Sequence, residues 1–190
     1  MSKAQRRRQP SGPQTRSQRF ERLIYREFLL EPELYLEAGL RDLPERLGEL
    51  MGCPARDALD RIAQGIHLDA VDIERLRALL CIEDRELTES TPESVAQQLG
   101  GPEVSYDKCI RSALRYAVVG MRTHVFAALR AAAQKRDDWA RHHFVYGLLH
   151  GLEDNRDRAL WELNMALARE PYQEGRERIQ AAIALLERGA

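Results

Sequence analysis

The chain has 190 residues, of which 44% are hydrophobic and 31% are charged, which is the balance of a globular protein rather than of a disordered one. No apolar run approaches the roughly 18 residues that a membrane span needs, and the basic start lacks the apolar core of a signal peptide, so we expect a cytoplasmic protein with no membrane contact. The three cysteines (Cys53, Cys81 and Cys109) form no C-x-x-C pair, which argues against a disulfide framework and a zinc ribbon.

The net charge of −1 conceals three segments of different sign. Residues 1–30 carry a net charge of +6, residues 31–104 a net charge of −10, and residues 105–190 a net charge of +3. The middle of the chain is therefore acidic, and the two flanking segments are cationic.

The first segment begins with a basic, polar stretch. Residues 1–16 contain almost no apolar side chains and include the consecutive Arg6, Arg7 and Arg8. Such a stretch buries too little to offset the entropy of ordering it, so the sequence predicts a disordered tail over 1–16. Because this tail is positively charged, it is a candidate contact with nucleic acid.

From Ser17 onward, apolar residues recur at helical spacing. Ser17 can cap a first helix that Pro32 terminates. The apolar positions of this helix are Phe20, Leu23, Ile24, Phe28 and Leu29. We therefore expect one well-defined amphipathic helix directly after the tail.

The segments that follow are short and clearly punctuated. Several begin at a proline and end at a glycine, an asymmetry that is typical of helices. No segment shows the alternating pattern of a strand, so the sequence predicts an all-α fold. The tripeptide at 100–102 is the best internal boundary, dividing an acidic helical region (17–100) from a second helical region (105–190).

In residues 43–82, one predicted helix ends at Gly52, a second begins at Pro54 and ends at Gly65, and a third follows. This arrangement resembles the helix-turn-helix of repressor-type DNA-binding proteins. The resemblance implies that the second helix would read the major groove. The candidate nucleic-acid contacts are Arg56, Arg61 and Gln64 on this helix, together with Arg6, Arg7 and Arg8 of the tail. The surrounding segment is acidic, which opposes binding to a phosphate backbone. Short helices packed in an α-helical domain are the alternative interpretation.

The last part of the chain repeats at a period of 34 residues. Small residues and a proline carry the pattern in the later unit, at Gly147, Ala159, Ala166 and Pro171. The matching positions of the earlier unit are Ala113, Val125, Ala132 and Asp137, where Val125 is larger than the usual alanine and the proline is missing. This spacing resembles the tetratricopeptide repeat (TPR). The resemblance implies helical hairpins over 106–139 and 140–173, with a close approach at Gly147 and Ala159. A closing helix from about Gln173 to Leu186 would cap the stack.

What the TPR resemblance implies for function is protein binding in a concave groove lined by the first helix of each unit. Five residues would face this groove: Arg111, Leu114, Arg141, Phe144 and Leu148. We expect an adaptor or chaperone-like module that holds a partner peptide or amphipathic helix, with Phe144 as its anchor. The alternative is that this apolar face packs inside the protein.

The sequence contains none of the common catalytic or nucleotide-binding motifs. His142, His143 and His150 lie on one predicted helix, but packing explains them more simply than a metal site, which would need further ligands. We therefore expect no enzymatic activity, no metal and no cofactor. The two other functional hypotheses are a DNA-binding regulator and a subunit of a larger assembly.

Overall fold

The computed structural model describes residues 14–63, 71–80, 87 and 89–187. These residues form eleven helices and no strand, which confirms the all-α prediction. The helices are α1 (Arg16–Leu29), α2 (Pro32–Glu37), α3 (Leu43–Met51), α4 (Ala55–Ala63), α5 (Ile73–Leu79), α6 (Pro92–Gly100), α7 (Tyr106–Val118), α8 (Arg122–Lys135), α9 (Ala140–Leu152), α10 (Arg156–Arg169) and α11 (Gln173–Glu187). Within this part of the chain, no helix combines the length and the apolar character that a membrane crossing requires.

Helix α1 begins slightly earlier than the sequence predicts. Thr15, and not Ser17, is its N-cap: the Thr15 hydroxyl accepts a hydrogen bond from the Gln18 N–H, and the Gln18 side chain accepts one from the Thr15 N–H. This reciprocal pair is a capping box, which satisfies two otherwise unpaired N–H groups. Ser17 instead donates a hydrogen bond of 2.9 Å to the carbonyl oxygen of Leu152, at the end of α9.

Helix α1 is the central element of the fold. It packs against α7, α9 and α11 from the second half of the chain, and against α2 and α4 from the first half. Phe20, Ile24 and Phe28, one helical turn apart, are at most 1% exposed. The buried apolar side chains accordingly form one cluster with members from both sides of the boundary at 100–102.

An ion pair also fixes α5 to this central helix. Arg77 donates hydrogen bonds of 2.6 and 2.5 Å to the two carboxylate oxygens of Glu21 on α1. Burial raises the pKa of Glu21, but hydrogen bonds from Arg77 and Tyr25 outweigh that effect and leave the pKa below its ordinary value.

The second half of the chain contains two helical hairpins of matching dimensions. Helices α7 and α9 have 13 residues each and begin 34 residues apart, and α8 and α10 have 14 each with the same offset. The turn between α9 and α10 has Asp154 at a φ of 57° and Asn155 as the N-cap of α10. Ala159 is fully buried, and Gly147 lies so close to Leu163 that a Cβ would be 2.6 Å from its side chain.

Candidate protein-binding cleft

The apolar residues of the predicted groove lie inside the protein. Leu114 and Leu148 have no exposed surface, and Phe144 is 7% exposed. Their helices, α7 and α9, are the ones against which α1 packs. At Gly151 of α9 the contact is so close that an added Cβ would be 2.4 Å from the Phe20 ring. In this structure α1 therefore covers the side of the hairpins on which the sequence predicts a groove.

The two arginines of the predicted groove pair with acidic residues next to α1. Arg141 donates a hydrogen bond to Glu31, and Arg111 lies 3.9 Å from Glu33 of α2. Burial lowers the pKa of Arg141, but the hydrogen bond to Glu31 and the negative charges of Glu31, Glu27 and Asp107 together outweigh this effect, so that the pKa is raised overall. These pairs place the linker between α1 and α2 against the first helix of each hairpin.

A third ion pair joins α1 to the closing helix. Arg178 of α11 lies 3.2 Å from the carboxylate of Glu27, whose side chain is only 5% exposed. A buried carboxylate is costly without a cation beside it. This pair therefore fixes the position at which the last turn of α1 lies between α9 and α11.

Beyond the end of α1, the space between α9 and α11 stays open. A cleft of about 340 Å³ begins there, with Phe144 and Ile179 on its walls and Arg141 and Arg178 at its mouth. It shares several of its residues with a larger cleft of about 750 Å³ at the beginnings of α7, α9 and α11. The larger cleft is lined by Tyr106, Asp107, Asp138, Trp139, Ala140, Arg141, Arg169, Glu170, Pro171, Tyr172, Glu174, Gly175 and Arg178.

Three aromatic side chains line the larger cleft. Trp139 is 40% exposed and Tyr172 is 74% exposed. Tyr106 is buried behind Trp139, with the two ring centroids 4.8 Å apart in an edge-to-face arrangement. Sequence reasoning did not identify these three residues, although their equal spacing of 33 residues is visible in the chain.

Buried histidine contacts hold Tyr106 in place. The backbone N–H of His142 donates a hydrogen bond of 2.8 Å to the Tyr106 hydroxyl, which also lies 3.1 Å from the Nδ1 of the same histidine. Burial, aided by the nearby His143, lowers the pKa of His142 to about 4. Burial likewise raises the pKa of Tyr106 to about 12. Both groups are therefore neutral at pH 7, and His142 holds Tyr106 in the wall of the cleft.

The other histidines of this region also have packing roles. The Nδ1 of His143 lies 2.8 Å from the carboxylate of the buried Glu162. His150 packs on the ring of Phe126, with centroids 5.7 Å apart. Among the residues that the structure describes, no three His, Cys, Asp or Glu side chains are grouped as metal ligands.

The residues of the predicted DNA-reading helix are only partly described. Arg56 and Arg61 are exposed on α4, where they alternate with the exposed Asp57 and Asp60. Gln64 lies outside the described residues, as do Arg6, Arg7 and Arg8 of the tail. The described face of α4 thus carries equal numbers of positive and negative charges.

Comparison of the chain with protein-family models, curated proteins and solved structures finds no match.

Proposed function

We propose that this chain is a non-enzymatic protein-binding adaptor or chaperone-like module, and that its hairpins are TPR-like. A partner segment would bind in the cleft at the beginnings of α7, α9 and α11. The observation that carries this proposal is the position of α1, which covers the hairpins but ends where the cleft opens, next to Arg141 and Phe144.

The composition of the cleft supports a protein partner. Tryptophan, tyrosine and arginine are the residue types that contribute most to binding at protein interfaces, because they bury large surfaces and lose little side-chain freedom for the area gained. Trp139 and Tyr172 are among the few large apolar side chains that the described part of the chain leaves exposed. A bound segment would remove both of them from water.

The proposed site includes fewer residues than the groove that the sequence predicts. Leu114 and Leu148 contribute to the protein's own core, whereas Phe144 and Arg141 also line the open space beyond α1. A partner would therefore contact the end of α9 at which Trp139 lies, and it would leave α1 in place.

Site-specific photo-crosslinking tests this proposal. A photoreactive amino acid replaces the exposed Tyr172 in one variant and the half-exposed Trp161 on α10, outside the cleft, in the other. The proposal predicts that position 172 crosslinks a defined polypeptide that position 161 does not. Crosslinks to nucleic acid, or identical products from both positions, would contradict it.

A further inference from the structure

The three aromatic residues of the cleft each lie at the beginning of one of the helices α7, α9 and α11. Tyr106 is the first residue of α7, Trp139 immediately precedes α9, and Tyr172 immediately precedes α11. Helices that stack side by side bring such positions together along one edge, and all three residues line the same cleft. The three helices thus build an aromatic row along the edge at which they begin.

Tyr172 is the open position in this row. The Trp139 ring already packs edge-to-face against the Tyr106 ring. The Arg136 guanidinium also lies 4.8 Å from the centroid of the Trp139 ring. Within the described residues, no ring or guanidinium group stacks on Tyr172, which is 74% exposed. An incoming planar group would therefore find a free ring face at Tyr172.

The charges around this row favour a cationic ligand. Four carboxylates line the cleft, at Asp107, Asp138, Glu170 and Glu174. In the part of the chain that the structure describes, none of these four carboxylates has an ion-pair partner.

The cations of the cleft are, in contrast, mostly engaged. Arg141 is paired with Glu31 and Arg178 with Glu27, so two of the three guanidinium groups are neutralised by carboxylates from α1 and its linker. The third, Arg169, donates a hydrogen bond of 3.2 Å to the carbonyl oxygen of Met165. The unpaired charge that a ligand meets is therefore mainly negative.

Arginine fits this combination of rings and carboxylates better than lysine does. A guanidinium group is planar, stacks on aromatic faces and forms paired hydrogen bonds with a carboxylate. Guanidinium groups already stack on aromatic rings twice at the surface of this chain: Arg136 lies 4.8 Å from the centroid of the Trp139 ring, and Arg158 lies 4.9 Å from that of Trp161.

We propose that the cleft binds an arginine-rich segment of a partner protein. One arginine stacks on Tyr172 and pairs with Glu174, and a second reaches Asp107 and Asp138 on the opposite wall. This inference rests on the proposed protein-binding function and specifies the chemistry of the partner.

The experiment uses the two tryptophans as matched reporters. The variant Trp161→Phe leaves Trp139 as the sole tryptophan, and Trp139→Phe leaves Trp161, which lies under a similar arginine but outside the cleft. Each full-length variant is titrated with an eight-residue peptide of alternating arginine and serine. We expect a saturable change in the emission of Trp139, weakened by added salt, and no change for Trp161. Equal responses from both tryptophans, or none from either, would overturn the inference.

Further substitutions test the specific contacts. In the Trp161→Phe background, we expect Tyr172→Ala and the double change Asp107→Asn with Asp138→Asn each to weaken peptide binding by about fivefold or more. Asp157→Asn, which removes an exposed carboxylate outside the cleft, is the control and should leave the affinity unchanged. Undiminished affinity after the cleft substitutions would refute the proposed contacts.

Two controls separate this inference from its alternatives. A peptide with glutamate in place of arginine should not bind, and tighter binding of that peptide would overturn the inference that the partner is cationic.

The chain's own Arg6, Arg7 and Arg8 have the proposed chemistry, so the titration is repeated with all three changed to Gln. Binding that appears only after this change would identify the tail as the occupant and would contradict a separate partner. If the arginine peptide fails while position 172 still crosslinks a polypeptide, only the partner's chemistry is refuted.

Discussion

Two glycines determine how closely other helices approach α9. Gly147 allows Leu163 of the same hairpin to contact the α9 backbone, and Gly151 allows the Phe20 ring of α1 to do so. The 34-residue pattern predicts a close approach of these two helices at Gly147 and Ala159, because both helices belong to one repeat, but it does not name Leu163 as the residue in contact. It gives no indication of the contact at Gly151, because Phe20 lies outside the repeat and far away in the sequence.

The contact at Gly151 leads to a stability prediction. An alanine there would place its Cβ 2.4 Å from the fully buried Phe20 ring, so the ring or the helices would have to shift. We expect Gly151→Ala to lower the free energy of unfolding by about 1–3 kcal/mol in chemical denaturation. Gly100→Ala is the control, because a Cβ at Gly100 meets nothing within 4 Å. Equal stability of the two variants would show that α1 does not lie against α9.

The buried His142 makes stability depend on pH. Its pKa of about 4 lies below the ordinary value of 6.5, so the unfolded chain binds a proton more readily than the folded one. The contribution of His142 is fully present above pH 6.5 and is lost as the pH falls towards 4, by about 2–3 kcal/mol. We expect His142→Gln to show a smaller loss than the wild type between these pH values. Parallel curves for the two proteins would rule out a buried neutral histidine.

At the scale of the elements, local sequence patterns predict where the helices lie in the chain, but they do not predict which helices pack against each other. Proline and glycine mark the limits of α3, which is followed by the C-cap residue Gly52 at a φ of 67°, as expected for a glycine cap. The closing helix α11 spans Gln173–Glu187, close to its predicted limits. An amphipathic pattern shows that a helix has an apolar face, but it does not show what covers that face. For this reason the sequence left open whether Phe144 and Leu148 face a groove or the core.

The register of the later hairpin can be tested with a pair of adjacent substitutions. Ala159 is fully buried, and the neighbouring Arg158 side chain is 56% exposed. We expect Ala159→Leu to lower the free energy of unfolding by about 1–3 kcal/mol through overpacking, and Arg158→Leu to change it by less than about 0.5 kcal/mol. If the two changes have the same effect in thermal unfolding, the proposed repeat register is incorrect.

At the scale of the whole molecule, α1 connects two regions that the sequence separates. The composition changes sharply at 100–102, which predicts a boundary, yet the buried residues on both sides belong to one cluster. Helix α6, before the boundary, also packs against α8, after it. The composition of a segment reflects how exposed it is and where the chain turns. Whether two segments share one buried core depends on contacts between residues far apart in the sequence, which no local pattern shows.

The central inference is that α1 joins both halves of the chain into one core and does not cover the cleft at the beginnings of α7, α9 and α11. The measurement that tests it most directly is denaturation followed in each half at once. Trp139 and Trp161 report on the hairpins, and a fluorophore on the half-buried Cys53 reports on the first half. Cys81 is changed to Ser in this variant, and Cys109 is protected because it is buried, which raises the pKa of its thiol.

We expect both probes to show one coincident transition. Phe20→Ala should shift both midpoints down together, by an amount that corresponds to about 3–5 kcal/mol. Two separate transitions, or a Phe20→Ala variant that destabilises only one half, would contradict the shared core and would leave the groove free for a partner.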